Sequence, residues 1–501
     1  MHGMIERSRP SLTFSLAKTP SGELHSGEFA RDANTHSPRG HAIAETWFDT
    51  PDARLRAAGL VASIVDENAR LTRRLGLWPG QYEASPWPEA PVEGATLSCR
   101  DLPDDFRKMA GLSPDDGLLI PTIEFTGERW PRALERAGVG VNADILSGRI
   151  EAGGAGLDVH EARVRRSSGR LGDVFAAARA FQSLAPMRVE FATHAEKGAL
   201  LLAGQWGAPV GKIQPDLRAG MNVTEAFVAI AHACLRQFSL NAPAFNSTHQ
   251  VEAVHQTRVA IRRLRSALSL FAPVLRDAAF DHLRAELKWL FDVLGAARDL
   301  DVLLDNPALA TPDQRADLSA RARVAHAAAA EAVASPRVDR LLFDLAEWIA
   351  TGAWRRARAP RPLRDRGLSI GRFAARRLDR RHLAVTRGAR RFDDLTESEL
   401  HALRVEVKKL RYMVEFLEPL AQSDKARRRF GRGVRSLAAL QETLGQIHDI
   451  DMGSLLLAGH ASATDAALPI PSSPADRGDL LKRARREARA VVAAKPFWSL
   501  I

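Results

Sequence analysis

A twelve-residue basic segment occurs twice in this 501-residue chain, and the duplication strongly limits how the chain can fold. The segment at residues 254–265 returns at residues 400–411, with its histidine, its cations and its last leucine 146 positions further on. On a helix at about 100° per residue, the histidine and the cations three, seven and ten positions later fall within an arc of roughly 80°. Apolar residues occupy a separate face, which can be buried in a bundle. Each copy therefore predicts an amphipathic helix with one cationic edge.

A second duplicated segment follows each basic segment. Leu-Gly-Ala-Ala-Arg-Asp-Leu-Asp at residues 294–301 matches Leu-Gly-Gln-Ile-His-Asp-Ile-Asp at residues 444–451, at an offset of 150. Two blocks in the same order at nearly the same spacing indicate an internal duplication. We therefore expect the two basic helices at equivalent positions about a pseudo-twofold axis, where they can face each other.

A chain of 501 residues has room for more than one domain, and 45% apolar residues is typical of a globular protein. The two cysteines, Cys99 and Cys234, cannot supply a disulfide framework, which favours a reducing compartment. We find no signal-peptide pattern and no apolar run of membrane-spanning length. These features predict a cytoplasmic protein that has no membrane partner.

The net charge of +11 is distributed unevenly along the chain. Residues 1–210 hold 24 Lys and Arg against 27 Asp and Glu, whereas residues 211–501 hold 47 against 33. The excess of positive charge thus belongs to the C-terminal part alone, which indicates an anionic partner for that part.

Residue patterns predict an α+β multidomain protein. Residues 1–205 carry short strand-like runs separated by Pro, Gly and Asp, with one helix at 171–184, which predicts an antiparallel, β-barrel-like domain. Residues 206–220 are a Gly- and Pro-rich linker, and residues 221–501 are helical. The helical part divides into repeat 1 at 221–350, repeat 2 at 367–460 and a C-terminal basic helix at 477–495. This last helix either extends the positive surface or caps the bundle.

The duplicated pair of motifs, His-x-x-Arg-x-x-x-[Arg/Lys]-[Arg/Lys]-Leu-Arg and then Leu-Gly-x-x-[Arg/His]-Asp-x-Asp, resembles the CHAD domain over roughly residues 215–460. The resemblance implies a pair of four-helix subdomains related by pseudo-symmetry, with basic helices lining a central pore or groove. It also implies binding of inorganic polyphosphate and an association with polyphosphate granules. By position, the implied binding residues are His255, Arg258, Arg262, Arg263, Arg265, Arg298, His401, Arg404, Lys408, Lys409 and Arg411. The counterpart of Arg298 is His448, so the resemblance does not imply a symmetrical role for that pair.

The N-terminal part is similar to the CYTH domain, the antiparallel tunnel barrel of triphosphate metalloenzymes, at residues 47–52, 150–154 and 160–161. Such an enzyme needs carboxylates to hold Mg²⁺ or Mn²⁺ and cations to hold triphosphate. The first strand-like run, 11–17, lacks the alternating carboxylates of the family, and residues 61–65 lack its arginines. Residues 161–166 carry three arginines and one glutamate where the family repeats carboxylates. We therefore expect no catalytic residues, no metal site, no cofactor and no triphosphatase activity, with inorganic triphosphate hydrolysis kept as the enzymatic alternative.

Polyphosphate presents closely spaced negative charges and no bases. A protein that binds it therefore needs many regularly spaced cations and needs no aromatic rings on which bases could stack. Arginine contacts phosphate oxygens with two N–H groups and lysine acts as a mobile point charge. The histidine and the cations on one face of each basic helix form its cationic row. The alternative is that these rows pair with carboxylates such as Asp299, Asp301, Asp449 and Asp451 to fix helix packing. Nucleic-acid binding is a further alternative, which the sequence favours less because Tyr412 is the only aromatic residue adjacent to the rows.

His255 and His401 have two possible roles. Each can donate a hydrogen bond to phosphate and gain charge beside it, or each can pack structurally. Metal binding is disfavoured because neighbouring cations repel a metal ion and no carboxylate or cysteine lies at ligand spacing.

Overall fold

The computed structural model describes residues 11–16, 40–73, 87, 89–92, 94–136, 139–166, 170–182, 186–246, 250–305, 312–458, 474–494 and 496–500. They form two compact units. The sheet unit lies within residues 1–210, 239–247 and 334–352, and the helical unit within 211–238, 248–333 and 353–501. The boundary at 210/211 falls inside the segment that we interpret as a linker. Residues 334–352, most of which the sequence places in repeat 1, group with the sheet unit.

The sheet unit is built on one antiparallel sheet. Its strands are β1 Ser11–Leu16, β2 His41–Asp49, β3 Leu60–Val65, β4 Asn68–Arg73, β5 Ala90–Pro91, β6 Ile120–Arg136, β7 Val139–Ala152, β8 Ala155–Arg166 and β9 Met187–Val189. They lie in the order β5-β4-β3-β2-β6-β7-β8-β1-β9. The strand-like runs at 11–17, 45–49, 60–65 and 119–125 correspond to strands, the last as the start of the 17-residue strand β6. The run expected at 189–193 is wrong, because β9 ends at Val189. Ala17 and Leu184, the ends of two predicted elements, lie outside the described residues.

The expectation of a barrel is wrong. Over the described residues the sheet is open, with β5 at one edge and β9 at the other and no pairing between them. A physical reason is found on β8, where Glu161 and Ala162 point to opposite faces and are both buried. Helices cover both faces of the sheet, so its apolar surface is buried without closing the sheet on itself.

Five helices accompany this sheet: α1 Arg54–Ala57, α2 Asp104–Ala110, α3 Leu171–Gln182, α4 His194–Leu202 and, much later in the chain, α9 Pro336–Thr351. On one face, Phe343 of α9 lies between Phe14 of β1 and Phe175 of α3, with ring centroids 5.9 and 5.7 Å away. Arg188 donates to Asp339 over 2.6 Å and fixes the start of α9 against β9. Helix α9 is therefore an integral part of the sheet unit.

The opposite face of the sheet holds a buried ion-pair network beneath α4. Lys197 of α4 is 2.8 Å from Glu161 Oε1 and 2.9 Å from Glu190 Oε2, and its side chain is only 4% exposed. His194 lies 3.0 Å from Glu161 Oε2, and Arg163 also contacts that oxygen. Although burial alone would raise it, His194 and Lys197 hold the pKa of Glu161 well below its usual range. Each carboxylate here is neutralised, so the network fixes α4 on the sheet.

The described residues beyond 210 contain ten α-helices, of which α9 is in the sheet unit. The others are α5 Val223–Asn241, α6 Gln250–Leu275, α7 Phe280–Asp305, α8 Pro312–Ala334, α10 Pro360–Arg366, α11 Ile370–Arg390, α12 Glu397–Glu415, α13 Asp424–Ala458 and α14 Pro474–Ala493. The predicted apolar faces of the two basic segments are buried: Ile261, Leu264, Leu268 and Phe271 on α6, and Leu403, Val407, Leu410, Val414 and Leu417 on or just after α12. The amphipathic helices expected from the duplication are confirmed. No helix among the described residues combines the length and the hydropathy needed to cross a bilayer.

The C-terminal basic helix, α14, caps the bundle. Ala484, Ala488 and Val491 are buried. Three of its cations are held by carboxylates, since Lys482 pairs with Asp479, Arg483 with Glu487 and Arg485 with Asp393. Of the two roles that the sequence leaves open, the structure therefore favours the cap.

We expect Lys197→Met to destabilise the sheet unit strongly, because it leaves Glu161 and Glu190 buried without their shared cation. Removing one partner of a buried pair typically costs about 3–5 kcal/mol. Urea unfolding followed by tryptophan fluorescence measures this, with the exposed Lys108→Met as the matched control, for which we expect less than about 0.5 kcal/mol. Equal unfolding midpoints for the two variants would show that the network does not stabilise the fold.

Candidate anion-binding site

The two basic helices pack against each other in the helical unit and run antiparallel. Arg262 of α6 lies over the ring of Tyr412 of α12 at 5.0 Å, and Arg263 lies 5.6 Å from the ring of Phe416. At the other end of the contact, Arg381 of α11 donates to Ser269 Oγ and to Glu406 Oε2, over 3.1 and 2.6 Å. Residue 269 therefore lies near residue 406, while residue 262 lies near residue 412.

Lys408 of α12 lies within electrostatic range of four arginines. Arg404 on its own helix and Arg258, Arg262 and Arg265 on α6 are close enough to act on it electrostatically. Burial, and then these four guanidinium groups, lower the pKa of Lys408 to about 7. Among the described residues, no carboxylate pairs with its ammonium group. The two rows therefore face one concentrated positive site.

The folded chain binds the Lys408 proton more weakly than the unfolded chain does. Because the unfolded pKa is 10.5, the unfolded state holds more protons between about pH 7 and 10.5. The unfavourable contribution of Lys408 to stability is thus complete below pH 7 and disappears as the pH rises towards 10.5. An anion bound beside the ammonium group would offset the same penalty.

Aromatic rings support the cations of α6. Phe291 of α7 lies under both Arg258 and Arg265, at 4.4 and 4.7 Å from its centroid, and Tyr412 supports Arg262. Such contacts stabilise a partly desolvated guanidinium group without neutralising it. Burial lowers the pKa of all three arginines. The buried Nε atoms of Arg258 and Arg262 have no hydrogen-bond partner, so both arginines retain unused donor capacity.

The second copy adds polar partners to an aromatic contact, since Arg411 lies 4.8 Å from the ring centroid of Tyr412. Arg411, the counterpart of Arg265, donates to Gln441 Oε1 over 2.9 Å and pairs with Glu415 over 2.9 Å. Gln441 lies 150 positions after Phe291, so the duplicated scaffold places different chemistry at the same point. Arg411 therefore spends part of its donor capacity within the fold.

The second duplicated motif lies beside the first in both copies. The rings of His401 and His448 are 4.9 Å apart, and Arg298 acts on His255 at the corresponding place in the first copy. Burial lowers the pKa of His255, with a further contribution from Arg298, and lowers the pKa of the more exposed His401, where Arg404 adds to the effect. Both imidazoles are thus shifted towards the neutral form.

A small residue allows the second motif to approach the first closely. At Gly295 of α7, a Cβ would lie 3.3 Å from Arg258 Nη2, which is tighter than an ordinary van der Waals contact. A larger side chain there would displace the Arg258 guanidinium group. The glycine of the second motif therefore helps to position a cation of the first.

Two of the eleven implied residues lie off the shared face. Arg263 is 2% exposed and donates to Gln237 Oε1 and to the Ile213 carbonyl, over 2.6 and 2.7 Å. Lys409 pairs with Glu406 over 2.9 Å. Both stand eight positions after the histidine of their helix. This spacing places them about 80° around the helix from the histidine, on the side away from the cationic row. Arg263 therefore acts in the fold, and Lys409 lies at the edge.

The carboxylates of the second motif divide between two tasks. Asp299 lies 3.8 Å from Arg258, a long ion pair that leaves Asp299 exposed. Asp301 is buried and accepts from His326 Nε2 over 2.7 Å. The side chains of Asp449 and Asp451 lie outside the described residues. Among the described residues, aspartates therefore meet the implied binding residues in two long ion pairs, Arg258 with Asp299 and Arg298 with Asp305, each over 3.8 Å.

Sequence periodicity did not identify three contributors: Phe291, Arg377 and Arg381. Phe291 stands on α7, seven positions before Arg298, and only the fold brings its ring under the arginines of α6. Arg377 and Arg381 of α11 reach Ser269, which continues the row of α6 beyond Arg265. The only signal was the high arginine content of residues 372–391.

The sheet unit contains a separate pocket of about 290 Å³ at the ends of β6, β7 and β8, which includes Glu124, Arg149 and Glu151. Arg149 is already paired with Glu151 and Asp158. Within the described residues, no group of three His, Cys, Asp or Glu side chains has the arrangement needed to hold a metal ion.

We expect Lys408 to react with an amine-specific acylating reagent at pH 7.5 faster than the exposed Lys425, because a larger fraction of it is unprotonated. Peptide mass spectrometry over a pH series measures this, with half-maximal reactivity of Lys408 near pH 7. Arg404→Gln should move that midpoint to higher pH by removing a neighbouring positive charge. A Lys408 profile that coincides with that of Lys425 would contradict the assigned environment.

Comparison with known proteins identifies the region that contains this site. The model of the CHAD domain family matches residues 229–458. A crystal structure of the CHAD domain from the plant Ricinus communis shares 32% identity, covers 58% of this chain and 93% of its own, and has a TM-score of 0.45. A putative adenylyl cyclase from Hippeastrum, described as revealing a dominant triphosphatase activity, shares 15% identity, covers 39% of this chain and 95% of its own, and has a TM-score of 0.26. The search of curated proteins found no match.

The family match spans both copies of both motifs, from before His255 to beyond Asp451. The similarity of the N-terminal part to CYTH domains is not confirmed by these comparisons. Through residues 229–458, the chain belongs to the CHAD domain family.

Proposed function

We propose that the helical unit binds inorganic polyphosphate, without catalysis, along the cationic rows of α6 and α12, a surface that we call the groove. The observation that carries the proposal is the convergence of Arg258, Arg262, Arg265 and Arg404 on Lys408, with no carboxylate on the ammonium group in the described part of the chain. Bringing five cations together is unfavourable unless an anion completes the site. A ligand with many closely spaced phosphates supplies that charge over the length of both rows.

The geometry of the groove fits a polyanion that is recognised by charge. Arg258 and Arg262 are held in place by aromatic rings, which lowers the entropy lost when they bind phosphate. The two imidazoles lie at the ends of the rows, where an adjacent phosphate would favour their charged form. The membership of the chain in the CHAD family supports the same ligand, and polyphosphate granules are the corresponding location that we propose.

We expect the variant with Arg258, Arg262, Arg404 and Lys408 all changed to Gln to bind long-chain polyphosphate about 100-fold more weakly or worse. Four charge-assisted contacts are lost, and the dependence of log affinity on log salt concentration should become shallower by about four. Calorimetric titration at several salt concentrations measures both quantities, and thermal unfolding shows whether the variant is folded.

A matched control changes Lys425, Arg428, Arg432 and Arg435 of α13 to Gln. These four residues are exposed and lie about 120° to 200° around α13 from Gln441, which faces Arg411. The control removes the same net charge, so it should retain most of the affinity. Equal affinity of the groove variant and the unmodified protein would reject this site.

Nucleic-acid binding is less well supported by the groove. Phe291 and Tyr412 are the rings beside the cations, and both are covered by guanidinium groups, so they offer no open face for a base. In competition at matched salt, we expect polyphosphate to displace single-stranded DNA at a lower concentration of phosphate groups than DNA needs to displace polyphosphate. The reverse order would favour the nucleic-acid alternative.

Triphosphate hydrolysis remains the alternative for the sheet unit. The carboxylates Glu161 and Glu190 are held by Lys197, which leaves them poorly placed to bind Mg²⁺ or Mn²⁺. We expect no release of phosphate from inorganic triphosphate with either metal ion. Metal-dependent release that is lost in Glu161→Gln would establish the enzymatic alternative.

A further inference from the structure

One face of α11 is covered almost entirely by arginine. Arg372, Arg376, Arg380, Arg387 and Arg390 are all exposed, and at about 100° per residue they fall within an arc of roughly 80°. None of the five has an ion-pair partner among the described residues. Arg372, Arg376 and Arg380 follow each other at intervals of four, a spacing at which like charges destabilise a helix.

This face adjoins the end of the groove. Arg377 and Arg381 stand about 60° and 100° around α11 from the nearest edge of the exposed arc, and they donate to the carbonyl and the hydroxyl of Ser269, over 3.4 and 3.1 Å. Ser269 stands four positions after Arg265, within the angular range of the α6 row. Arg377 and Arg381 therefore connect the row of α6 to the exposed arginines of α11.

On its other side the exposed arc borders Asp379, an exposed carboxylate about 20° around the helix from Arg372, and then the packed ring of His382. Asp379 accepts a hydrogen bond from Trp498 Nε1 over 2.9 Å, and the ring of His382 packs against Trp498 at 5.2 Å. A ligand that lies on the exposed arc can therefore be continuous with the groove on the side of α6.

The duplication does not explain the arginines. At the repeat offset of 146, the five positions correspond to Ala226, Ile230, Cys234, Asn241 and Ala244, all of which are buried. The corresponding segment in the first copy thus has an apolar surface, because it is covered. This face of helix α11 is exposed in the second copy and therefore needs polar residues there. For solubility alone, charges of both signs would serve better than five arginines without an ion-pair partner.

We propose that the exposed arginine face of α11 is an outer binding surface for the same polyphosphate chain that occupies the groove, so that the protein favours long chains over short ones. This inference rests on the proposed function. From Arg372 to Arg387 the helix rises about 22 Å, a length that inorganic triphosphate in the groove cannot also reach. The exposed arc contains no aromatic residue, which argues for a ligand without bases.

The test compares two ligands on the full chain, long-chain polyphosphate and inorganic triphosphate. In the variant with Arg372, Arg376, Arg380 and Arg387 changed to Gln, we expect affinity for long-chain polyphosphate to fall about tenfold or more, while affinity for triphosphate stays within about twofold. All four side chains are exposed, so the variant should fold, and circular dichroism checks this.

The control with Lys425, Arg428, Arg432 and Arg435 changed to Gln removes the same charge from α13 and should leave the ratio of the two affinities unchanged. An unchanged affinity of the α11 variant for long chains, or equal losses for both ligands, would overturn the inference while leaving the groove in place. If the unmodified protein bound neither ligand, the proposed function would fail, and the inference with it.

Discussion

The site consists of like charges that repel each other and that the hydrophobic core holds close together. Lys408 and the arginines around it would separate if each helix were free, because desolvation and mutual repulsion both oppose their approach. They are kept in place by the apolar faces beneath them, where Leu264 and Leu410 are almost completely buried. The groove is therefore a region of local electrostatic strain, stabilised by packing on its other side. Functional sites commonly take this form, since a ligand then relieves a cost that the unbound protein bears.

The sequence predicted the part of the site that follows from helical phase. Residues three, seven and ten positions after each histidine lie on one face, and Arg258, Arg262 and Lys408 come together as that phase requires. The same calculation separates Arg263 and Lys409 from the row, although both belong to the motif. Phase says nothing about neighbouring helices, so the positions of Phe291 and Arg381 became clear only in the fold.

The N-terminal part was harder to predict because strand patterns identify strands better than they identify closure. Short apolar runs identified β1, β2, β3 and the start of β6, but they did not identify β4 or the long strand β7. An open sheet and a barrel also have similar alternation along each strand. The difference is made by residues distant in sequence. Phe343 covers one face from a helix that begins about 170 positions after β8 ends, and His194 and Lys197 cover the other from α4.

The position of α9 also affects how this protein can be divided. The helix lies inside the region that matches the CHAD family, yet Phe343, Asp339 and Asp344 make their contacts with the sheet unit. A fragment cut at 210/211 would remove Phe14 and Phe175, which cover Phe343 of α9, and would leave that ring exposed to water and open to aggregation. The helical region could therefore stand alone only with a polar surface on this one helix, and a domain boundary drawn from the family match alone would divide the core of the sheet unit.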